Sequence, residues 1–322
     1  MTDVAAAAGV SLWTVSNTFS HPERVAPPTR ERVLSAAAAL GYRGPHPLAR
    51  SLASGRTGLV ALVGPHGAAP LLADPAASLV ARGLLEACDR AGVSLVLSGA
   101  PGAAPVDGTV LLRYPGPAPA AGPVVTVDGP PTPAATAVAA DLGSGTAEAA
   151  RYLARLGHRA LAVLTWPGAG ARLEGARAGW GDAGRLEVLV AAEDDGLERG
   201  GTAPGQAAGI RAARTLLTRR DRPTAVLALT DAMALGVLET ARWAGLEVPG
   251  DLSVVGVDDL PAGAAHGLTT VFVPYAPLGA LAGTTLAALI AGGAAPAPAP
   301  LPTSLVIRGT AGPPVDRARP AG

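Results

Sequence analysis

The sequence predicts an α/β protein with a small all-helical head followed by a larger body built on parallel sheets. Three observations point there. Residues 3–20 read as two short helices broken at Gly9, and from Leu59 onward short apolar runs alternate with longer amphipathic ones. The length of 322 residues also exceeds one average domain, which suits a head plus a body.

The head takes its elements in order. An Ala-rich helix from Asp3 runs into Gly9, and Ser11 opens a second helix. Gly relaxes the tight turn and Ser caps the next element, the pattern of a helix-turn-helix. In the second helix Val15 and Phe19, at i,i+4, face a small core, while Trp13, Ser16, Asn17 and Ser20 form the opposite stripe. Such stripes are usually just solvated, but a Trp in its midst argues for a partner. A helix laid in the DNA major groove presents hydrogen-bonding side chains near its N-terminal end, with Ser11 and Leu12 entering there. A loop from Ser20 to Pro28 leads to a third helix, with Thr29 as N-cap, Val33, Ala36, Ala37 and Leu40 as apolar face, and Gly41 as terminator. Thr29 then serves as a cap or as part of a phosphate site, and Arg24 and Tyr42 are candidates for positioning contacts with phosphates. The segment 45–55 supports barely two helical turns, with Leu48 and Leu52 on one side and no core to bury them. A helix that short is marginal in water, so it orders only when something packs on it.

In the body the expected strands are Leu59–Val63, Ser94–Leu97, Thr109–Leu112, Val124–Val127, Leu161–Thr165, Leu186–Val190, Ala225–Leu229 and Ser253–Val257. Helical stretches lie at Pro75–Ala91, Thr146–Leu156, Gly205–Arg219 and Ala232–Ala244. The βαβ rhythm implies parallel sheets covered on both faces, and the length suits two sheets better than one. The Pro/Ala run 294–302 reads as a stiff connector and residues 312–322 as a disordered tail.

Composition narrows the function. The chain has no lysine, and its 25 arginines balance 25 acidic residues. Residues 1–58 nevertheless carry a net +3, leaving −3 for the rest, a mildly basic head that permits a nucleic-acid partner without requiring one. Cys88 is the only cysteine and reads as a buried structural thiol, which leaves no disulfide framework. Neither a signal-peptide layout nor a bilayer-length apolar run is present, so the expectation is a cytoplasmic protein with no membrane partner. Gly168-Ala169-Gly170 hints at a dinucleotide fingerprint, but the third glycine falls at Gly175, too far on. With no nucleophile elbow, Walker sequence or ligand cluster, no enzyme, catalytic residue, metal or cofactor is expected.

The head closely resembles the lac repressor (LacI/GalR) family. Asp3-Val4-Ala5, Ala8-Gly9-Val10-Ser11, Thr14-Val15-Ser16, Thr29-Arg30-Glu31-Arg32-Val33, Leu40-Gly41-Tyr42 and Ala49-Arg50-Ser51-Leu52 follow one another in the family's order. Downstream, Leu156-Gly157-His158-Arg159, Arg172 with Gly179-Trp180, Thr230-Asp231-Ala232-Met233 and the run from Asp251 to Asp259 are similar to later family blocks. The resemblance implies a head at 1–44, a hinge helix and linker at 45–58, and a two-lobed periplasmic-binding-protein-like body at 59–311 that closes on a small effector, often a sugar. It implies a homodimer on a palindromic double-stranded operator, acting as a transcriptional regulator and most simply a repressor. Ser11, Leu12, Trp13, Thr14, Ser16, Asn17, Ser20, Arg24, Thr29, Tyr42, Arg50, Leu52 and Ala53 then fall at DNA-contacting positions, with Leu52 as a minor-groove wedge. Asp128, Arg172, Thr230, Asp231, Asp258 and Tyr275 fall at effector positions, at strand ends or helix starts where open α/β sheets bind ligands. Asp231 divides evenly between capping a helix and binding.

Three departures matter. Asn17 stands where many members have Arg, and its amide would read adenine where Arg favours guanine. The loop from His66 to Pro75 lacks the aromatic that often stacks on a sugar. The chain also begins two residues before Asp3, where the family has a few more, so either the first helix is frayed or the natural start lies upstream of Met1, the second being favoured. The competing class is a ligand-binding protein of the periplasmic type without a DNA function.

Overall fold

The structure, a computed structural model, describes residues 1–20, 22–42, 56–65, 67–119, 121–130, 132–191 and 205–315. The expected hinge residues Arg50, Leu52 and Ala53 lie outside these. The chain divides into two compact units, Met1–Gly58 and Leu59–Gly322.

In the first unit, α1 (Thr2–Ala8) ends at Gly9, whose φ of 61° is the left-handed conformation that Gly takes without a Cβ penalty. Ser11 then does what the sequence asks of it: its Oγ accepts the Thr14 N–H at 3.1 Å and opens α2 (Leu12–Ser20). Val4, Ala5, Ala8, Val15, Val33 and Ala37 form the core, with Phe19 and Tyr42 packed edge-to-face at 5.6 Å on its flank. Three expectations fail here. Asn17 is buried at 7% exposure instead of standing free. The 3-10 turn Pro22–Arg24 follows α2 at once and packs on it, so more of this short helix is covered than an i,i+4 reading allows. Thr29 is not the N-cap of α3 (Pro27–Ala39), because Pro27 and Pro28 occupy its first turn and Ala26 precedes them. Proline is suited to that turn, where an N–H would be an orphan anyway. Leu40 is the C-cap and exposed, since the helix has ended before the apolar stripe reaches it.

The body carries two parallel sheets. The first is ordered β2-β1-β3-β4-β5, from β1 (Leu59–Val63), β2 (Ser94–Ser98), β3 (Gly108–Leu112), β4 (Val124–Val127) and β5 (Thr136–Val138). The second is ordered β11-β10-β9-β8-β6-β7, from β6 (Ala160–Thr165), β7 (Arg185–Val190), β8 (Ala225–Ala228), β9 (Ser253–Asp258), β10 (Thr269–Phe272) and β11 (Ser304–Val306), with β11 antiparallel to β10. All eight expected strands form, with ends shifted by at most one residue. The helices are α4 (Ala68–Ala73), α5 (Pro75–Ala91), α6 (Leu142–Arg155), α7 (Gly170–Trp180), α8 (Gln206–Leu217), α9 (Asp231–Trp243), α10 (Pro261–Ala265) and α11 (Tyr275–Ile290). α6 starts four residues before the sequence expectation, because the Asp141 carboxylate accepts the Ser144 N–H at 3.0 Å and caps it there.

The chain crosses between lobes repeatedly. After β5 it passes Ala140 into α6 of the second lobe, and α11 later returns to pack on α5 and the first sheet. Leu301 then pairs with the first crossing: its N–H donates to Ala139 at 2.9 Å and its carbonyl accepts from Asp141 at 2.8 Å. α11 meets α5 through glycines. A Cβ on Gly83 would collide with the Ala276 carbonyl, and one on Gly279 with that of Val80. The expected disordered tail begins too early. Gly312 is tied by its N–H to Ser253 Oγ at 3.0 Å and by its carbonyl to His158 Nε2 at 3.0 Å, so the ordered chain runs past residue 311.

Candidate functional site

β3, β4, β6, β8 and β9 all point their C-terminal ends toward one cavity of about 570 Å³ in the body. That is the edge at which open parallel sheets collect ligands, and the volume falls in the range of small-molecule sites. Its walls are mostly short: Ala, Pro and Gly residues leave the polar groups prominent.

From the second lobe comes a buried polar set. Arg172, on the first turn of α7, donates from Nη1 to Asp258 Oδ1 at 2.9 Å and to the Leu229 carbonyl at 2.6 Å, and from Nη2 to the Tyr275 hydroxyl at 2.9 Å. Tyr275 in turn donates to the same Asp258 oxygen at 2.5 Å. Burial alone would depress the Arg172 pKa, but the Asp258 charge overcomes it and raises it above the ordinary value. Burial, reinforced by the Asp258 charge, holds the Tyr275 phenol well above its usual range. All three keep their expected place at the cavity wall.

Asp128 also lines the cavity, from the end of β4. Burial raises its pKa against the opposing Ala140 N–H, which it accepts at 3.0 Å. Thr230 lines the cavity too, but its hydroxyl is committed to capping α9 by accepting the Met233 N–H at 3.1 Å. Asp231 is absent from the lining. Its carboxylate accepts the Leu260 N–H at 2.8 Å and the Thr270 hydroxyl at 2.5 Å, cross-linking α9, the end of β9 and β10. Burial, then the nearby Asp258 charge, raises its pKa to about 7. Of its two readings, the structural one is what the contacts describe, although the cap itself is Thr230.

Three charged or aromatic lining residues escaped the sequence reading: Asp74, Arg113 and Trp166. Asp74 caps α5 by accepting the Ala76 N–H at 2.8 Å and faces Arg113 at 3.6 Å. Trp166 follows β6 and stands 5.7 Å from the Arg172 guanidinium, supplying an aromatic wall that the loop before Pro75 lacks. The rule of strand C-terminal ends, which found Asp128 and Asp258, covers Arg113 and Trp166 equally. Arg113, Asp128 and Asp258 have φ of 49°, 45° and 130°, so three of the five non-glycine residues with positive φ among the described residues line this cavity. Backbone strain of this kind gathers at ligand sites, where it aims side chains inward.

In the head, Leu12 and Trp13 are exposed at 48% and 65%, Ser16 is half-buried, and Ser11, Ser20 and Arg24 are exposed. Thr14 is half-buried, and so are Thr29 and Tyr42. The stripe expected to meet a partner therefore survives, with Asn17 withdrawn from it. No helix among the described residues is long and apolar enough to cross a membrane.

Residues 1–44 match the lacI family of bacterial regulatory proteins, and residues 150–311 match a periplasmic binding protein-like domain. The chain is 33% identical to an HTH-type transcriptional regulator of Mycobacterium tuberculosis, over 98% of this chain and 97% of that one. It is 32% identical to the ribose operon repressor of Escherichia coli, over 88% of this chain and 90% of the repressor. Among solved structures, the lac repressor dimer bound to operator and the anti-inducer ONPF aligns with a TM-score of 0.76 at 28% identity, covering 96% of this chain and 97% of the other. These likenesses span head and body together and support a regulator, not a ligand-binding protein without a DNA function. The chain belongs to the LacI family of DNA-binding transcriptional regulators.

Proposed function

We propose that the protein is a cytoplasmic homodimeric repressor whose paired heads bind a palindromic operator and whose body releases it on binding a small effector, a sugar or related metabolite. The observation that carries this is one chain holding both a helix-turn-helix with an exposed recognition face and a 570 Å³ cavity walled by the buried Arg172–Asp258–Tyr275 set. The lac repressor dimer, to which the whole chain is similar, was solved with operator and a small molecule together.

In this reading Arg172, Asp258, Asp128 and Tyr275 orient the effector, Trp166 offers a face for its ring, and Ser11, Leu12, Trp13, Ser16 and Ser20 meet the DNA. Thr14, Arg24, Thr29, Tyr42 and Arg50 position the head on the backbone, and Leu52 and Ala53 enter the minor groove from the hinge at 45–58. Ligand closure changes how the body spaces its heads, and the coupling is reciprocal: operator weakens effector binding as effector weakens operator binding. Selection of bound sequences from a random duplex library, at a stated salt concentration, tests the DNA half. A pseudo-palindrome with a pyrimidine–purine step at its centre is expected. No enrichment from folded protein, including an N-terminally extended form, would remove the regulator reading.

A further inference from the structure

We propose that Leu12 and Trp13 read thymine C5-methyl groups, so that A·T pairs specify the operator half-site beneath the first turn of α2. The inference rests on the DNA-binding reading above and adds what the recognition face reads.

α2 contains no charged residue: Leu12–Ser20 is Leu-Trp-Thr-Val-Ser-Asn-Thr-Phe-Ser. The commonest specific contact in the major groove, Arg or Lys on guanine O6 and N7, is thus unavailable from this helix. Some of the hydrogen-bonding groups at its start are engaged within the head, while Ser16 is half-buried and Ser20 exposed further along. Ser11 Oγ accepts the Thr14 N–H at 3.1 Å and lies 3.0 Å from the Thr14 hydroxyl. The Thr18 hydroxyl donates to the Thr14 carbonyl at 2.9 Å, and Asn17 is buried. At the N-terminal end, where recognition helices meet base edges, the two large side chains left exposed are both apolar.

Neither is needed by the head core, which is built from Val4, Ala5, Ala8, Val15, Val33 and Ala37. Two adjacent large apolar groups held in water on a helix otherwise flanked by serines mark a contact surface. In the major groove the methyl of thymine is the group such side chains match, by direct apolar contact. The Trp13 indole N–H adds one donor, suited to an acceptor at the same base edges.

The test starts from the operator selected with the full-length chain. Each thymine of the half-site is replaced symmetrically by deoxyuridine, which keeps base pairing and removes only the methyl, and affinity is read by fluorescence anisotropy. At one or two positions deoxyuridine is expected to weaken binding about fourfold per half-site, or roughly fifteenfold for the palindrome, the effect of returning one buried methyl-sized group to water at each contact. In Leu12→Ala or Trp13→Ala the discrimination at the matching position should collapse below about twofold, following the logic of a double-mutant cycle. Both residues are exposed, and circular dichroism verifies that the heads stay folded. The proposal is overturned if no position distinguishes thymine from deoxyuridine, if the discrimination survives in both variants, or if G·C pairs are selected beneath the first turn. Operator binding with any of those results leaves the regulator reading standing. Failure to select any operator removes both.

Discussion

The Tyr275 hydroxyl and the Arg172 guanidinium converge on one oxygen of Asp258, Oδ1, at 2.5 and 2.9 Å, with all three side chains buried. Asp258 thereby joins the end of β9, the start of α7 and the start of α11, the helix that returns to the first lobe. A ligand touching this carboxylate acts on a junction between the two lobes.

Replacing Asp258 by Ala leaves Arg172 buried without its counter-charge, and loss of one partner of such a pair typically costs about 3–5 kcal/mol. Urea unfolding of Asp258→Ala should show a loss of that order, while Tyr275→Phe should cost about 3 kcal/mol, from the two hydrogen bonds that its hydroxyl makes with charged groups. Operator binding should persist in Arg172→Ala and Asp258→Ala, and release by effector should vanish. Normal release in both would show that the cavity is not the effector site.

The α5–α11 contact admits no side chain at Gly83 or Gly279, where an added Cβ meets the Ala276 or Val80 carbonyl. Gly83→Ala and Gly279→Ala should each lower stability by about 2 kcal/mol or more, because backbone yields less readily than a rotamer. Thermal unfolding measures it, and an unchanged midpoint would mean that the two helices are not so closely packed in solution.

Two buried groups give stability opposite pH slopes. Asp231 has a folded pKa of about 7 against an ordinary value of 3.8, so its contribution is full below 3.8 and is lost as pH rises toward 7. His158, buried against Thr224, Ser253 and Gly312, has its pKa lowered by burial, so its contribution is full above 6.5 and is lost as pH falls below that value. Asp231→Asn should flatten the decline between pH 4 and 7 in urea titrations, and His158→Gln should reduce the acid-side decline. If the Asp231→Asn curve keeps the wild-type slope, the folded pKa of this carboxylate is not raised above its ordinary value.

Trp166 lines the cavity, whereas Trp180 is buried and Trp13 and Trp243 are exposed. Effector binding should change intrinsic fluorescence, and Trp166→Phe should remove most of that change while keeping operator affinity. A signal that persists in this variant would place the ligand elsewhere.

Much of this was legible from residue order. The turn at Gly9, the Ser11 cap and the eight β-strands carry local signals: a left-handed position, a short polar side chain before a helix, and runs of β-branched and Leu residues. α11 was not legible, because it is apolar on every side and so shows no helical period, being covered by α5 and the first sheet. β5, β10 and β11 are only three or four residues long and take their identity from neighbours. α7 was hidden by glycines facing α6 and by a buried Arg172 that breaks its apolar stripe.

By itself, then, the sequence determined the helix-turn-helix, the alternation that makes parallel sheets, and most of the strand-end residues that reach the cavity, since each follows from spacing along a few turns. Only the tertiary structure decided that Asn17 is buried, that Thr230 and not Asp231 caps α9, that Asp231 is a cross-link, and that Trp166 and Arg113 complete the wall. Those outcomes depend on which side chain lies across from which after the sheets have assembled. Burial and hydrogen bonding there are set between segments tens to more than a hundred residues apart, as with Arg172 and Tyr275, 103 residues apart in the chain and 2.9 Å apart in space.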